Sequence, residues 1–274
     1  MIYVLVPAYN EAATVGLLLW KVRQVFTAFP REYQLLAVDD ASTDGTDAVL
    51  APYARALPLT LVTHRKRQGY ARSLEELLRL ATSRTDRPRR DLAIVLQADF
   101  SDSPDDIPEL VKRIESGADL VLADYLRRPG LPRREKLARR LLRLLSRRSA
   151  NGGAGEHVGT LKAMRLITLA RVLSAQGGRP LITREGWAAD AELLGAVSGQ
   201  ARRVDVVPVA SPVQPRRRAS RARPLRSVWS VWHALRSVKA PEQPDRPGGP
   251  RPERGRAHGR RESRGPAPAS APSA

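Results

Sequence analysis

The sequence has 274 residues, of which 42% are hydrophobic, enough for one large α/β domain with its own core. The formal net charge of +19 favours acidic partners such as anionic lipid, nucleic acid or phosphorylated substrates. The absence of cysteine excludes disulfides and thiolate metal sites. No stretch reaches the roughly 18 uncharged apolar residues of a membrane-spanning helix, so we expect any membrane contact to lie at the surface.

Strand-like and helix-like patterns alternate along most of the chain. Short apolar runs predict strands at 2–6, 34–38, 59–63, 92–96, 119–123 and 204–209. Apolar residues at helical spacing predict helices at 11–29, 43–56, 70–82, 107–116 and 134–148. This alternation predicts a Rossmann-like α/β fold, in which a mostly parallel sheet is flanked by helices.

Polar side chains follow three of the predicted strands. Asn10 and Glu11 come after the first strand, Asp39 and Asp40 after the second, and Asp99 after the fourth. Asp and Asn are also common in ordinary turns. Polar residues at three strand ends are less easily explained that way, because ligands of parallel sheets bind beyond the carboxyl ends of the strands. We therefore predict a binding site there.

The C-terminal part of the chain is rich in arginine. Leucines of the predicted helix 134–148 share much of one face and the rest is basic, which fits an anionic membrane surface or a core-packed helix with a solvated basic face. Arginines near Trp229 and Trp232 again fit a membrane surface. The final stretch of Pro, Gly, Arg, Ser and Ala predicts disorder. The predicted divisions are a domain at 1–212, a basic Trp-containing segment at 213–239 and a tail at 240–274.

Two segments at a particular spacing carry a family resemblance. Val6-Pro7-Ala8-Tyr9-Asn10-Glu11 and the run 38–46 resemble the nucleotide-binding signatures of the large inverting GT-A glycosyltransferase family, which includes dolichol-phosphate mannose synthases and polyprenyl-phosphate sugar transferases. Gln97-Ala98-Asp99 lies where that family has Asp-x-Asp, and 156–165 is similar to its acceptor-side segment. The resemblance covers about residues 2–238.

The resemblance implies a GT-A fold, a site and a reaction. The residues expected to hold the nucleotide are Pro7, Tyr9, Glu11, Asp39, Asp40, Gln97 and Ala98. Asp99, helped by Gln97, would bind Mg²⁺ or Mn²⁺, since hard cations prefer oxygen ligands. Glu156 would serve the acceptor side and Arg216 the diphosphate. The implied reaction is metal-dependent transfer of a hexose from a nucleoside-diphosphate sugar to an acceptor, most simply a polyprenyl phosphate at the cytoplasmic membrane face.

The motifs depart from the family pattern at several positions. Gln97 replaces the first Asp of Asp-x-Asp, Glu156 replaces an Asp, and Leu161-Lys162 replaces Phe-Arg. Three alternatives therefore stay open: transfer to a soluble or protein acceptor, a non-catalytic sugar-nucleotide-binding relative, and a nucleic-acid-binding protein. The last lacks a recognisable module, so no specific nucleic-acid partner is expected. The histidines lack metal-ligand spacing, and only His157 is a candidate site residue.

Overall fold

The computed structural model describes residues 1–124, 133–146, 161–208, 229–231 and 233. Its strands are β1 (Ile2–Ala8), β2 (Tyr33–Asp39), β3 (Leu59–Thr63), β4 (Leu92–Val95), β5 (Leu120–Asp124), β6 (Lys162–Arg165) and β7 (Val204–Pro208). Its helices are α1 (Val15–Ala28), α2 (Thr46–Ala56), α3 (Tyr70–Arg84), α4 (Ile107–Glu115), α5 (Arg133–Ser146), α6 (Leu166–Ala175) and α7 (Trp187–Gln200). A short 3₁₀ turn, Pro104–Asp106, precedes α4.

The strands form one sheet in the order β3-β2-β1-β4-β6-β5-β7. β1 pairs in parallel with both β2 and β4, and β2 with β3, so their carboxyl ends lie at one edge. β6 pairs antiparallel with β4 and β5, whereas β5 and β7 are parallel. The prediction of a mostly parallel α/β sheet is confirmed.

Two apolar layers cover the two faces of the sheet. Alternate side chains of β1 point to opposite faces, so Leu5 belongs to one layer and Val4 to the other. Helices α3, α6 and α7 contribute to the layer of Leu5, and α1, α2 and α4 to that of Val4. Full burial of a leucine or valine contributes about 1.5–3 kcal/mol. These layers hold the strand ends in fixed register.

Several element boundaries differ from those that the sequence predicted. β1 continues through Pro7 to Ala8 instead of stopping at residue 6. α1 begins at Val15 instead of residue 11, and the N-cap residue Thr14 has a non-helical φ of −127°. The backbone oxygen of Glu11 accepts hydrogen bonds from the N–H groups of Thr14 (3.0 Å) and Val15 (2.9 Å) in the turn before the helix. α2 begins at Thr46 instead of residue 43. β6 and α6 had no counterpart in the predicted elements.

Parts of the predicted C-terminal organisation fall outside the described residues. This holds for residue 209, for nearly all of the segment 213–239 including Trp232, and for the whole tail 240–274. The predicted divisions there stay predictions. Within the described ranges, no helix is long and apolar enough to cross a membrane.

Candidate functional site

Hydrogen bonds tie the segment after β1 to the segment after β2. The backbone N–H of Asn10 donates to Ser42 Oγ at 2.9 Å, and that of Glu11 donates to Thr46 Oγ1 at 2.8 Å. In return, the Asn10 side-chain oxygen accepts the Thr43 N–H at 2.8 Å. Asn10 has a φ of 53°, in the left-handed region that asparagine tolerates. The hydroxyl groups of the second segment thus shape the first.

The turn before α2 provides no side-chain cap for the helix. The N-cap residue is Gly45, which has no side chain to accept a hydrogen bond. Asp44 instead accepts the Thr46 N–H with one carboxylate oxygen and the Ala12 N–H with the other, both at 3.1 Å. Partial burial by itself raises the pKa of Asp44, but the hydrogen bonds it accepts outweigh burial and lower it. The charged Asp44 therefore bridges the two segments.

Asp39 and Asp40 are adjacent, buried and differently engaged. Asp39 accepts hydrogen bonds from both the backbone and the hydroxyl of Ser42. Asp40 Oδ1 accepts the Gln68 N–H at 2.7 Å and Oδ2 accepts the Gly69 N–H at 2.8 Å. Asp40 Oδ1 also lies 2.7 Å from His64 Nδ1. Both Asp40 oxygens thus hold the loop between β3 and α3, and the nucleotide contact predicted for this residue stays a prediction.

His64 lies in a buried acidic environment. Its second ring nitrogen, Nε2, lies 2.8 Å from Glu76 Oε2 on α3. Burial by itself lowers the pKa of His64, but the hydrogen bonds and charges of Asp40 and Glu76 outweigh burial and raise it above 6.5. A protonated imidazole donates to both carboxylates. His64 therefore links Asp40, which follows β2, to Glu76 on α3 beside the site, and no sequence pattern singled it out.

An aromatic and basic surface lies at the end of β1. The Arg67 guanidinium carbon lies 4.1 Å from the centroid of the Tyr9 ring, within the range of a cation–π contact. Arg67 is exposed, and it belongs to the loop that Asp40 holds. Of the other residues predicted after β1, Pro7 pairs with Val38 inside the sheet, and Glu11 is buried, with its carboxylate accepting the Thr14 hydroxyl at 3.1 Å.

Gln97, Ala98 and Asp99 follow β4 at the same edge of the sheet. Ala98 is buried, whereas Gln97 and Asp99 are partly exposed. Asp99 Oδ1 accepts the Ser101 N–H at 2.9 Å, and Phe100 between them has a φ of 60°. The structure thus brings the predicted nucleotide and metal residues after β1, β2 and β4 to one edge.

Gln97 connects the site to a buried polar chain that the sequence did not reveal. Its amide nitrogen donates to Tyr70 Oη at 3.0 Å, and Tyr70 Oη donates to Asp190 Oδ1 at 3.0 Å. Lys162 donates to the same Asp190 oxygen, and these two ionic side chains are almost fully buried. Burial, followed by the charge of Asp190, raises the pKa of Tyr70 well above its usual value. Lys162 lies in a mostly apolar run and Asp190 in an alanine-rich helix. Neither pattern predicts a buried ion pair between these two residues.

Carboxylates also hold the loop that precedes α7. Glu75 accepts the N–H groups of Leu181 at 2.9 Å and Ile182 at 3.1 Å. Glu185, at the end of this loop, accepts the Tyr70 N–H at 2.9 Å, at the first turn of α3. A Cβ at Gly69 would lie 2.4 Å from Glu185 Oε1. The glycine therefore allows the close approach of this carboxylate.

Some predicted site residues cannot be placed. Glu156, His157 and Arg216 lie outside the described residues, so their assignments stay predictions. Among the residues that the structure does describe, no three His, Asp or Glu side chains are grouped as a metal site. The two residues that the sequence predicted as metal ligands, Asp99 and Gln97, both lie in the segment after β4, and their metal assignment stays a prediction.

The fold and the site define a class of α/β protein that binds its ligand at the carboxyl edge of a Rossmann-like sheet. The model of the family described as "Glycosyl transferase family 2" matches residues 3–170, which is more than half of the chain. The chain belongs to glycosyl transferase family 2.

Curated relatives share part of this sequence. The chain is 28% identical over 121 residues to the undecaprenyl-phosphate 4-deoxy-4-formamido-L-arabinose transferase of Aeromonas hydrophila, covering 44% of this chain and 36% of that protein. It is 26% identical over 162 residues to the protein of the same name from Klebsiella pneumoniae, covering 59% of this chain and 48% of that protein. The chain thus spans a third to a half of the length of these relatives.

Solved structures show the same fold. Mannosyl-3-phosphoglycerate synthase from Rubrobacter xylanophilus has a TM-score of 0.59 at 21% identity, covering 91% of this chain and 78% of that one. The UDP complex of glucosyl-3-phosphoglycerate synthase from Mycobacterium tuberculosis has a TM-score of 0.53 at 21% identity, covering 87% of this chain and 79% of that one. These likenesses agree with the GT-A fold that the sequence predicted.

Proposed function

We propose that this chain is an inverting glycosyltransferase that moves a hexose from a nucleoside-diphosphate sugar to a polyprenyl phosphate at the cytoplasmic face of a membrane. The observation that carries the proposal is the convergence of Tyr9, Asp39 and Asp99 at the ends of three neighbouring parallel strands. Relatives named as undecaprenyl-phosphate sugar transferases support the choice of acceptor.

The nucleotide would lie against the ends of β1 and β2. The Tyr9 ring offers a flat surface, and the exposed Arg67 cation beside it suits a base or a diphosphate. Asp39, at the end of β2, would accept hydrogen bonds from the base or ribose. The hydrogen-bonded turn between 42 and 46 keeps these groups in place before the ligand arrives.

Asp99 is proposed to hold a hard divalent cation together with the donor substrate. Asp99 supplies a partly exposed carboxylate, and the diphosphate of the donor would supply further oxygens. When bound, Mg²⁺ or Mn²⁺ would offset the negative charge that develops on the leaving diphosphate. Arg216 and Glu156 are proposed for the diphosphate and the acceptor side respectively.

The transfer step needs little proton chemistry. An oxygen of the acceptor phosphate forms the new bond to the anomeric carbon, on the face opposite the leaving group. The bond from that carbon to the diphosphate breaks, and its electron pair leaves with the nucleoside diphosphate. Because the acceptor phosphate is already anionic, the reaction does not require a strong general base. Positioning and charge would then supply most of the catalysis.

Helix α5 is proposed as the surface that docks on anionic lipid. Leu137 and Leu141 are 53% and 39% exposed, one turn apart, while Ala138 is buried. The neighbouring Arg134 and Arg140 are also exposed. Exposed leucines among arginines on a helix are typical of peripheral membrane binding.

The test of the reaction is a transfer assay with UDP- and GDP-sugars, with and without polyprenyl phosphate, at several Mg²⁺ and Mn²⁺ concentrations. We expect one donor to give metal-dependent transfer to the lipid, and Asp99→Asn to lower kcat/KM at least roughly 100-fold. Asp86→Asn is the matched control, because the Asp86 side chain is 82% exposed and precedes β4 at the other edge of the sheet.

Other outcomes of the same assay would select the alternatives. Transfer to a soluble phosphorylated acceptor but not to lipid would favour the hypothesis that the natural acceptor is soluble. Donor binding without turnover on any acceptor would identify a non-catalytic relative and contradict the proposal. Equal losses in Asp99→Asn and Asp86→Asn would show that Asp99 has no special part in transfer.

Docking of α5 is tested by sedimentation with anionic and neutral lipid vesicles. Leu137→Ser should lower binding to anionic vesicles several-fold, since it removes apolar surface from the interface. Leu17→Ser is the control, because Leu17 is a leucine of similar exposure, 47%, on α1. Equal effects of the two variants, or none from either, would contradict docking through α5.

A further inference from the structure

Four polar side chains from separate parts of the fold form one hydrogen-bonded chain that runs from the buried Lys162 and Asp190 to the partly exposed Gln97. Lys162 comes from β6, Asp190 from α7, Tyr70 from α3, and Gln97 from the segment after β4. They are joined in that order by the three contacts described above. The last of these hydrogen bonds is made by Gln97, two residues before Asp99, the predicted metal ligand.

The direction of each hydrogen bond in this chain is fixed by chemistry. The Lys162 ammonium can only donate, and an ionised Asp190 can only accept. The single proton of the Tyr70 hydroxyl is therefore used on Asp190. The Tyr70 oxygen is left as an acceptor, so the group that faces it from Gln97 must be the amide nitrogen.

A carboxylate at position 97 would not satisfy this arrangement. It would place an acceptor against the Tyr70 oxygen, whose proton is already used by Asp190. It would also add a further negative charge beside Asp190, which is paired with Lys162, and near the buried Asp102, whose charge also acts on Tyr70. An amide at position 97 completes the chain without either conflict.

We propose that Gln97 is a positioning residue and not a metal ligand: Lys162, Asp190 and Tyr70 require an amide donor at this position, and together they fix the strand end that carries Asp99. The departure from Asp-x-Asp at residue 97 and the lysine at 162 then have one common cause, because both belong to the same hydrogen-bond chain. The link to Asp99 as a donor-site residue rests on the proposed function, whereas the demand for an amide does not.

The first experiment measures urea and thermal unfolding of the full chain without nucleotide or metal. Gln97→Glu should raise the unfolding equilibrium constant roughly 10- to 100-fold and lower Tm by about 5 °C. Gln97→Met keeps the size of the side chain and loses one hydrogen bond, so it should raise that constant less than about 10-fold. Equal stability of Gln97→Glu and the parent protein would overturn the proposal.

A polarity-reversing double variant provides the sharper control. Combining Gln97→Glu with Asp190→Asn keeps the net charge and frees the Tyr70 proton for position 97. Because Lys162 and Tyr70 contact the same oxygen of Asp190, the new amide must shift as well as rotate to turn its oxygen to Lys162 and its nitrogen to Tyr70. We expect the double variant to recover at least about half of the Tm that Gln97→Glu loses. If the decreases in Tm from the two substitutions simply add, the proposed donor–acceptor order of these hydrogen bonds is wrong.

The second experiment separates positioning from metal ligation by measuring Mn²⁺-dependent binding of UDP and GDP. Gln97→Met should keep this binding within about 10-fold, because Asp99 still supplies the carboxylate. Loss of Mn²⁺ dependence in Gln97→Met, or tighter Mn²⁺ binding in Gln97→Glu, would overturn the proposal. If the parent protein binds neither nucleotide, the proposed function fails, while the unfolding data still decide whether residue 97 must be an amide.

Discussion

Replacement of Asp40 by asparagine tests whether this residue holds the loop between β3 and α3. The carboxylate accepts three hydrogen bonds at 2.7–2.8 Å, from His64, Gln68 and Gly69. Asparagine has one acceptor oxygen in place of two, so at least one bond is lost and an N–H group faces another donor. A hydrogen bond to a charged group contributes about 1.5–3 kcal/mol, so we expect Asp40→Asn to lower the free energy of unfolding by about 3 kcal/mol.

The assay is urea denaturation at neutral pH followed by far-ultraviolet circular dichroism, with thermal melts beside it. A loss of about 3 kcal/mol corresponds to a Tm lower by roughly 6–12 °C for a domain of this size. Asp47→Asn, on the exposed side of α2, is the control and should change stability by less than about 0.5 kcal/mol. A similarly small change in Asp40→Asn, together with weaker UDP or GDP binding, would refute a structural role and favour nucleotide contact alone.

Three further predictions concern the surroundings of the site. Because the folded-state pKa of His64 is raised above 6.5, the contribution of His64 to stability should be complete below pH 6.5 and disappear as pH rises through the folded-state pKa. His64→Gln should flatten this part of the curve of unfolding free energy against pH. An unchanged curve would contradict the raised pKa of His64. Gly69→Ala should lower Tm more than Gly45→Ala in thermal melts, because both glycines have a positive φ but only a Cβ at residue 69 would meet Glu185. Equal decreases in Tm would mean that the contact with Glu185 relaxes freely. Lys162→Met should lower the free energy of unfolding by about 3–5 kcal/mol in urea denaturation, because it leaves a buried carboxylate without its counter-charge, and a loss below about 1 kcal/mol would show that this carboxylate is neutral or hydrated.

The main elements of the sheet could be predicted because each strand carries its own local signal. Residues 34–38 and 92–96 are apolar runs bounded by polar residues, and the strands β2 and β4 lie there to within a residue or so. The antiparallel strand β6 was missed for a physical reason. It has four residues, Lys162–Arg165, and both of its neighbours come from distant parts of the chain, so its position depends on free edges of β4 and β5.

By itself, the sequence determined the alternating α/β order and the placement of Asn10, Asp39 and Asp99 after three strands, because hydrophobic period and strand-end polarity are local properties. The tertiary structure alone decided what those residues contact. Asp40 meets a loop 28 residues later, and Lys162 meets Asp190 across 28 residues inside the core. Such contacts arise only when packing excludes water, because a buried charge must then find whichever partner the fold places beside it.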